Sequence, residues 1–121
     1  MNSSILVVDD QLTMRRMFQA IFTQSDYDVD YAEDGVIAYA AARKKRYDLV
    51  ITDYHMPNLN GIELTKRLRR QPTYNGVPIL VVSTESNNDK RVEGRSAGAS
   101  GWIVKPVSAD VLLPAVKKLL R

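Results

Sequence analysis

A chain of 121 residues, 45% hydrophobic and 26% charged, has the balance of one globular domain and is long enough to bury a core without covalent staples. It contains no cysteine, which excludes a disulfide framework, thiolate chemistry and a cysteine-based zinc site. The net charge of +3, from 17 basic and 14 acidic residues, is too small an excess to define a nucleic-acid binder. The densest basic run, Arg43 to Arg46, has only Tyr47 as an aromatic neighbour and falls where a helix should end, a position at which the helix dipole favours cations. Apolar runs are only a few residues long, and a strand-like segment begins directly after Ser4. No secretory leader or membrane span is expected, and the default expectation is a cytoplasmic protein with neither nucleic acid nor membrane as a direct partner.

Ile5 to Val8 is a continuous apolar run that ends in Asp9 and Asp10, the pattern of a buried parallel strand. Met14, Met17, Phe18, Ile21 and Phe22 then follow helical spacing, with Thr13 either capping that helix or lying in its first turn. From Tyr27 to Ala32 apolar and acidic residues alternate, as in a half-exposed edge strand. Asp34-Gly35 turns the chain into an Ala-rich helix over roughly Val36 to Lys45. Leu49 to Asp53 is a second buried strand. The helix after it, about Asn60 to Arg70, has Asn60 as a cap and an expected Glu63–Arg67 pair at i,i+4. Pro78 to Val82 is a third buried strand. A weak helix follows over Asn87 to Ala97, with Val92 as its only large apolar residue. Gly101 to Val104 closes at Lys105-Pro106. Ser108 is then expected to cap a final helix that Pro114 should kink.

Strand and helix alternate five times. This predicts a single α/β domain spanning 1–121, a doubly wound (βα)5 fold with a five-stranded parallel sheet. By analogy with other sheets of this kind we expect the flavodoxin-like order 2-1-3-4-5. Ligands bind at the carboxyl edge of such sheets, and the residues expected there are Asp9, Asp10, Asp53, Ser83 and Lys105. Asp53 alone would read as a turn or capping residue. In a group, three carboxylates repel one another, and a hard divalent cation with oxygen ligands relieves the repulsion. Mg²⁺ suits the set better than zinc, given no cysteine and one histidine. A lysine and a serine hydroxyl suit a phosphoryl group, and a carboxylate can be the nucleophile that accepts one.

With these residues in view, the whole chain resembles the receiver domain of two-component response regulators. The matching features are the Asp9-Asp10 pair, Asp53, Ser83, Lys105-Pro106, and the segment Asp53 to Gly61, which fits the family's D-x-x-M-P-x-x-x-G loop. The resemblance implies that Asp53 accepts a phosphoryl group from a histidine kinase or phosphotransfer domain. It implies Mg²⁺ (or Mn²⁺) held by Asp10, Asp53 and the backbone carbonyl of His55, with Asp9 assisting. It further implies that Lys105 contacts the phosphoryl oxygens, that Ser83 and Trp102 rearrange as the switch, and that Lys105-Pro106 is cis. Such a protein is a signalling switch that catalyses only its own phosphorylation and dephosphorylation, not an enzyme acting on other substrates. Output is expected from the face of the fourth helix, fifth strand and fifth helix, through a downstream protein or a phosphorylation-dependent homodimer. Lys90, Arg91, Arg95, Lys117 and Lys118 make that face basic and suggest an acidic partner. The segment Asp9 to Met17 is most similar to stand-alone chemotaxis receivers, although a receiver within a larger transcription factor or hybrid kinase would read the same way.

Some positions depart from the family pattern. Thr84 stands where Ala or Gly is usual and would crowd water's approach to the phosphoryl group, a route also flanked by His55 and Glu85. These three are the expected modulators of phosphoryl lifetime. His55 reads equally as an exposed loop histidine, and Trp102, bulkier than the usual Tyr or Phe, as a half-buried packing residue. Two other readings fit the acidic set less well. A Mg²⁺-dependent phosphatase with an Asp nucleophile wants D-x-D after its first strand, whereas Asp9 and Asp10 are adjacent. A flavin-phosphate binder would place three acids against its phosphate.

Overall fold

Residues 2–121 are described by a computed structural model. Five strands, β1 Ser4–Val8, β2 Asp28–Ala32, β3 Leu49–Asp53, β4 Ile79–Ser83 and β5 Gly101–Val104, alternate with five helices. The helices are α1 Leu12–Phe22, α2 Gly35–Lys44, α3 Gly61–Arg69, α4 Asn88–Ala97 and α5 Ala109–Leu119, with a 3-10 turn over Pro72–Tyr74. The sheet order is β2-β1-β3-β4-β5, with every neighbouring pair parallel. No helix among the described residues is long and apolar enough to cross a membrane.

The central strands are apolar throughout because helices cover both of their faces. Ile5, Val7, Leu49, Ile51, Leu80 and Val82 pack with Phe18 and Phe22 of α1 and Leu112 and Val116 of α5. The alternate residues Leu6, Val8, Val50 and Ile79 pack with Ala38 and Ala42 of α2 and Leu64 and Leu68 of α3. A smaller cluster of Tyr54, Ile62, Val81 and Ala97 seats α4 on the same side as α2 and α3. β2 is the half-exposed edge strand that its alternation predicts, though it begins at Asp28, so Tyr27 precedes it.

Several helix ends differ from the expectation. α1 begins at Leu12, so Thr13 lies in its first turn, and Gln11 at the cap position makes no side-chain capping bond. Asn60 does cap α3, accepting from Glu63 N–H at 2.8 Å, and Glu63 returns the bond from Asn60 N–H at 3.0 Å. That reciprocal box occupies the Glu63 carboxylate, so the expected Glu63–Arg67 pair does not form. Ser108 stands at the start of α5 without a side-chain cap; its carbonyl accepts from Leu112 N–H at 2.9 Å. α5 runs uninterrupted from Ala109 to Leu119 through Pro114. Pro114 and Asp110 are both exposed, so the carbonyl that Pro114 leaves without a helical donor meets water.

α4 is the helix least explained by its own apolar residues, since Val92 is 47% exposed. Small residues seat it instead, with Gly94 and Ala97 buried, and Arg69 of α3 holds its far end. The Arg69 guanidinium donates through Nε and Nη2 to the carbonyl of Gly98, at 3.1 Å and 2.9 Å, and through Nη1 to the carbonyls of Tyr74 and Val77.

The start of α3 is pressed against the strand end that precedes it. A Cβ at Gly61 would lie 2.3 Å from the Asp53 carbonyl oxygen, while Gly61 N–H donates to the Tyr54 carbonyl at 2.9 Å. Gly61→Ala is therefore expected to push α3 off β3 and cost about 1–3 kcal/mol. A urea denaturation midpoint equal to that of the unchanged protein would show that this contact is not limiting.

Candidate functional site

Strand register builds the site. Val8 pairs with Thr52 across β1 and β3, which brings Asp9 and Asp53 out side by side at the carboxyl edge. Ser83 ends β4 opposite Val104, and the next residue, Lys105, donates its backbone N–H to the Ser83 carbonyl at 2.8 Å. The Lys105-Pro106 peptide is cis.

At this edge Asp9, Asp10 and Asp53 each present a carboxylate oxygen, all within 4.8 Å of one another. Asp9 is 1% and Asp53 7% exposed, while Asp10 is open to solvent. Lys105 Nζ lies 3.1 Å from Asp53 Oδ1 and 3.6 Å from Asp9 Oδ2. Asp9 is held on both sides: its Oδ1 accepts from Gln11 N–H at 2.9 Å, and its carbonyl accepts from Arg15 Nη1 at 2.7 Å. A cleft of about 350 Å³ opens onto Asp10, Asp53, Thr84, His55 and Lys105.

Burial pushes the Asp53 carboxyl above the ordinary carboxylate range, and the neighbouring Asp9 charge pushes it further, against the pull of Lys105. Asp9 is likewise raised, chiefly by burial. Three carboxylates facing one ammonium leave a formal charge of −2 when all are ionised, in a set of oxygen donors. That donor set fits a hard divalent cation.

The structure places the other sequence-predicted residues around this group. His55 is exposed on the loop after β3, its Nε2 3.6 Å from Glu85 Oε1. Thr84 is exposed at the cleft. Ser83 is fully buried, and its Oγ accepts from Glu85 N–H at 2.9 Å. Trp102 Nε1 donates to the Glu85 carbonyl at 2.9 Å. Both polar groups of the Glu85 backbone are therefore held by the two residues singled out as the switch.

Around Trp102 the structure adds contacts of Tyr54 and Gly94, to which sequence reading assigned no role, and of Lys90, which it placed only on the basic output face. Tyr54 packs against the indole, ring centroids 5.7 Å apart and inclined at 57°. Lys90 Nζ sits 5.2 Å from the Tyr54 ring centroid. Gly94, inside α4, is where the indole needs room: a Cβ there would lie 3.0 Å and 3.1 Å from Trp102 Cζ3 and Cε3. A glycine inside a helix, one strand away from a tryptophan, was the available signal.

A doubly wound parallel sheet with an acidic cluster and a lysine at its carboxyl edge places the chain among the open α/β domains whose sites lie at that edge. The family described as the response regulator receiver domain matches residues 5–117, and the chain belongs to that family. It is similar to chemotaxis protein CheY-3 of Vibrio cholerae, 34% identical over 119 residues that cover 98% of this chain and 92% of that protein. It is equally similar to response regulator ArlR of Staphylococcus epidermidis, 34% identical over 119 residues, but spans only 53% of ArlR. Among solved structures, Vibrio cholerae CheY4 matches with a TM-score of 0.95 at 38% identity, covering 99% of this chain and 100% of that one. The receiver domain of sensor histidine kinase PA1611 of Pseudomonas aeruginosa, described with a magnesium ion in its active-site cleft, matches with a TM-score of 0.91 at 25% identity, covering 99% and 98%. Receiver domains of this family work as phosphorylation-controlled signalling switches, generally with Mg²⁺ at their acidic pocket.

Two outcomes follow from this geometry. Gly94→Ala is expected to displace the indole, shifting Trp102 fluorescence and destabilising the protein by about 1–3 kcal/mol; an unchanged emission spectrum would mean that the indole is not seated on Gly94. The second concerns pH. A carboxyl whose folded pKa is raised contributes stability that is complete below the unfolded value and is lost as pH climbs through the raised value. Asp53→Asn should therefore raise the denaturation midpoint at pH 7 in chelator-treated protein, and the gain should fade as pH falls into the ordinary carboxylate range. A loss of stability at pH 7 would show that Lys105 outweighs burial.

Proposed function

We propose that this chain is a phosphorylation-activated switch in which Asp53 takes a phosphoryl group from the phosphohistidine of a histidine kinase or phosphotransfer domain. The observation that carries this reading is the single carboxylate Asp53, nearly buried, with Lys105 Nζ at 3.1 Å on one side and the cleft on the other. An Asp53 carboxylate oxygen attacks phosphorus as the P–N bond to the donor imidazole breaks, and the departing imidazole takes up a proton. Lys105 supplies a fixed positive charge to the phosphoryl oxygens. Asp10, Asp53 and the His55 carbonyl would hold Mg²⁺ (or Mn²⁺), with Asp9 assisting; when bound, the ion supplies charge neutralisation for the carboxylates and the phosphoryl oxygens.

Ser83 Oγ accepts from Glu85 N–H, so a swing of Ser83 toward the phosphoryl group would break that bond, and the Glu85 carbonyl is what Trp102 holds. A rearrangement at Ser83 would in this way pass along one residue of backbone to the indole and to α4. A change from 1:99 to 99:1 between inactive and active forms requires phosphorylation to favour the active form by roughly 5.5 kcal/mol. The output surface is formed by α4, β5 and α5, where Arg91, Arg95, Lys117 and Lys118 are exposed, and it suits an acidic protein target or a second phosphorylated copy. A chemotaxis-type regulator acting in the cytoplasm is favoured by the match to CheY4. The second reading, a receiver within a longer regulator, is favoured by the equal identity to ArlR.

Incubation with acetyl phosphate and Mg²⁺ tests this. One acid-stable, base-labile phosphoryl group per chain is expected, absent from Asp53→Asn and strongly reduced in Lys105→Ala. In the same assay Thr84→Ala should lose the group several-fold faster, because Thr84 narrows water's route to it. Sustained turnover of phosphomonoesters, or an adduct retained in Asp53→Asn, would overturn the switch reading in favour of a phosphatase or another acceptor.

A further inference from the structure

A second surface, formed by residues that line neither the Asp53 cleft nor the output face, carries charge and apolar area that the switch reading does not use. The solvent face of α2 is a single stripe: Val36, Ile37, Ala40, Arg43 and Lys44 recur at i,i+3 and i,i+4 spacing and all are exposed. Its first turn is apolar, with Val36 53% and Ile37 43% exposed. Its last turn is cationic, and a groove there is lined by Ala40, Arg43 and Lys44. α3 extends the cationic end. The guanidiniums of Arg43 and Arg67 each lie 5.9 Å from the centroid of the same Tyr39 ring, and Tyr39 Oη accepts from Gln71 Nε2 at 2.8 Å. None of the ion pairs among the described residues engages Arg43, Lys44 or Arg67.

Helix stability accounts for only part of this. Cations in a last turn complement the helix dipole, which explains Arg43 and Lys44 individually. It does not explain two like-charged guanidiniums converging on one ring with no carboxylate between them. Nor does it explain Val36 and Ile37, since β-branched residues at an exposed helical position bring neither burial nor propensity. Arginine and tyrosine packed together and bordered by exposed aliphatic side chains are the composition of a protein-binding hot spot.

We propose that the α2 face, with Arg67 of α3, is a docking surface for an acidic, amphipathic segment of a protein partner. Such a segment would set aliphatic side chains on Val36 and Ile37 and carboxylates on Arg43, Lys44 and Arg67. The two ends of the stripe are seven residues apart, about 10 Å along the helix, which matches two turns of a partner helix. The apolar end favours a protein over a nucleic acid, whose backbone would use the cations and leave Val36 and Ile37 bare.

The test is an amide-resolved NMR titration of the full chain with a synthetic helical peptide. It carries Leu at i and i+3 and a block of Glu two turns further on. A peptide with Lys in place of Glu and a short duplex DNA serve as competing probes. The expected result is shifts confined to amides of residues 36–44 and 66–71 with the Glu peptide alone. Affinity should fall ~10-fold or more in Arg43→Glu/Arg67→Glu, fall several-fold in Ile37→Ser, and weaken with added salt as exposed charge pairs do. Circular dichroism melts of the variants separate lost binding from lost folding. No shift at these amides at millimolar peptide, shifts unaffected by the charge reversal in a folded variant, or equal or tighter binding of the duplex at the same amides would each overturn the proposal.

Discussion

Burying Asp9 beside Asp53 costs free energy that one ammonium, at 3.6 Å and 3.1 Å, only partly offsets, so both carboxyls are held above the ordinary range. The sheet accepts this cost because its topology leaves no alternative. Strands β1 and β3 are neighbours at the point where the winding reverses, and equal register brings their terminal acids level. The rest of the molecule serves that edge. Gln11 and Arg15 hold Asp9, the approach of Gly61 keeps α3 against Asp53, and Lys105 arrives from the end of β5. A cluster that is electrostatically incomplete without a cation is poised to respond when charge is added to it.

The route from that edge to the surface is short and made of backbone. Ser83 and Trp102 do not touch each other through their polar atoms; each holds one polar group of Glu85. The indole rests between Tyr54 and Gly94, so its position depends on α4, a helix with little apolar anchoring of its own. α4 is fastened at its far end by Arg69 and at its near end by Asn87, which accepts from Lys90 N–H at 2.8 Å. An element held mainly by its two ends and a few small residues is one that a modest local change can move.

Much of the fold was legible in the residues because the signals were local. Continuous apolar runs marked β1, β3 and β4 as covered on both faces, alternation marked β2 as an edge, and Asn60 and Asp34 marked helix starts that their side chains do cap. The readings that failed concern competition between partners. Glu63 was free to bond forward to Arg67 or back to Asn60, and the unsatisfied N–H of the helix start won. Pro114 lies inside α5, which continues through it to Leu119, and both Pro114 and Asp110, whose carbonyl it leaves without a helical donor, are exposed. A glycine inside a helix costs stability by itself, and only the packing of α4 on β5 shows that Gly94 makes room for Trp102.

The sequence by itself determined the alternation of strands and helices, the α/β class, and which chemically competent residues end each strand. Those properties follow from periodicity and from residue types, which act over a few positions. Only the tertiary structure decided that three acids from two strand ends come within 4.8 Å, that Lys105 sits nearest Asp53, and that Ser83 and Trp102 meet at Glu85. The same holds for Arg43 and Arg67, which converge on Tyr39 from different helices. Each of these depends on strand order, register and helix packing, which are set by burial across the whole chain and leave no mark on any one segment.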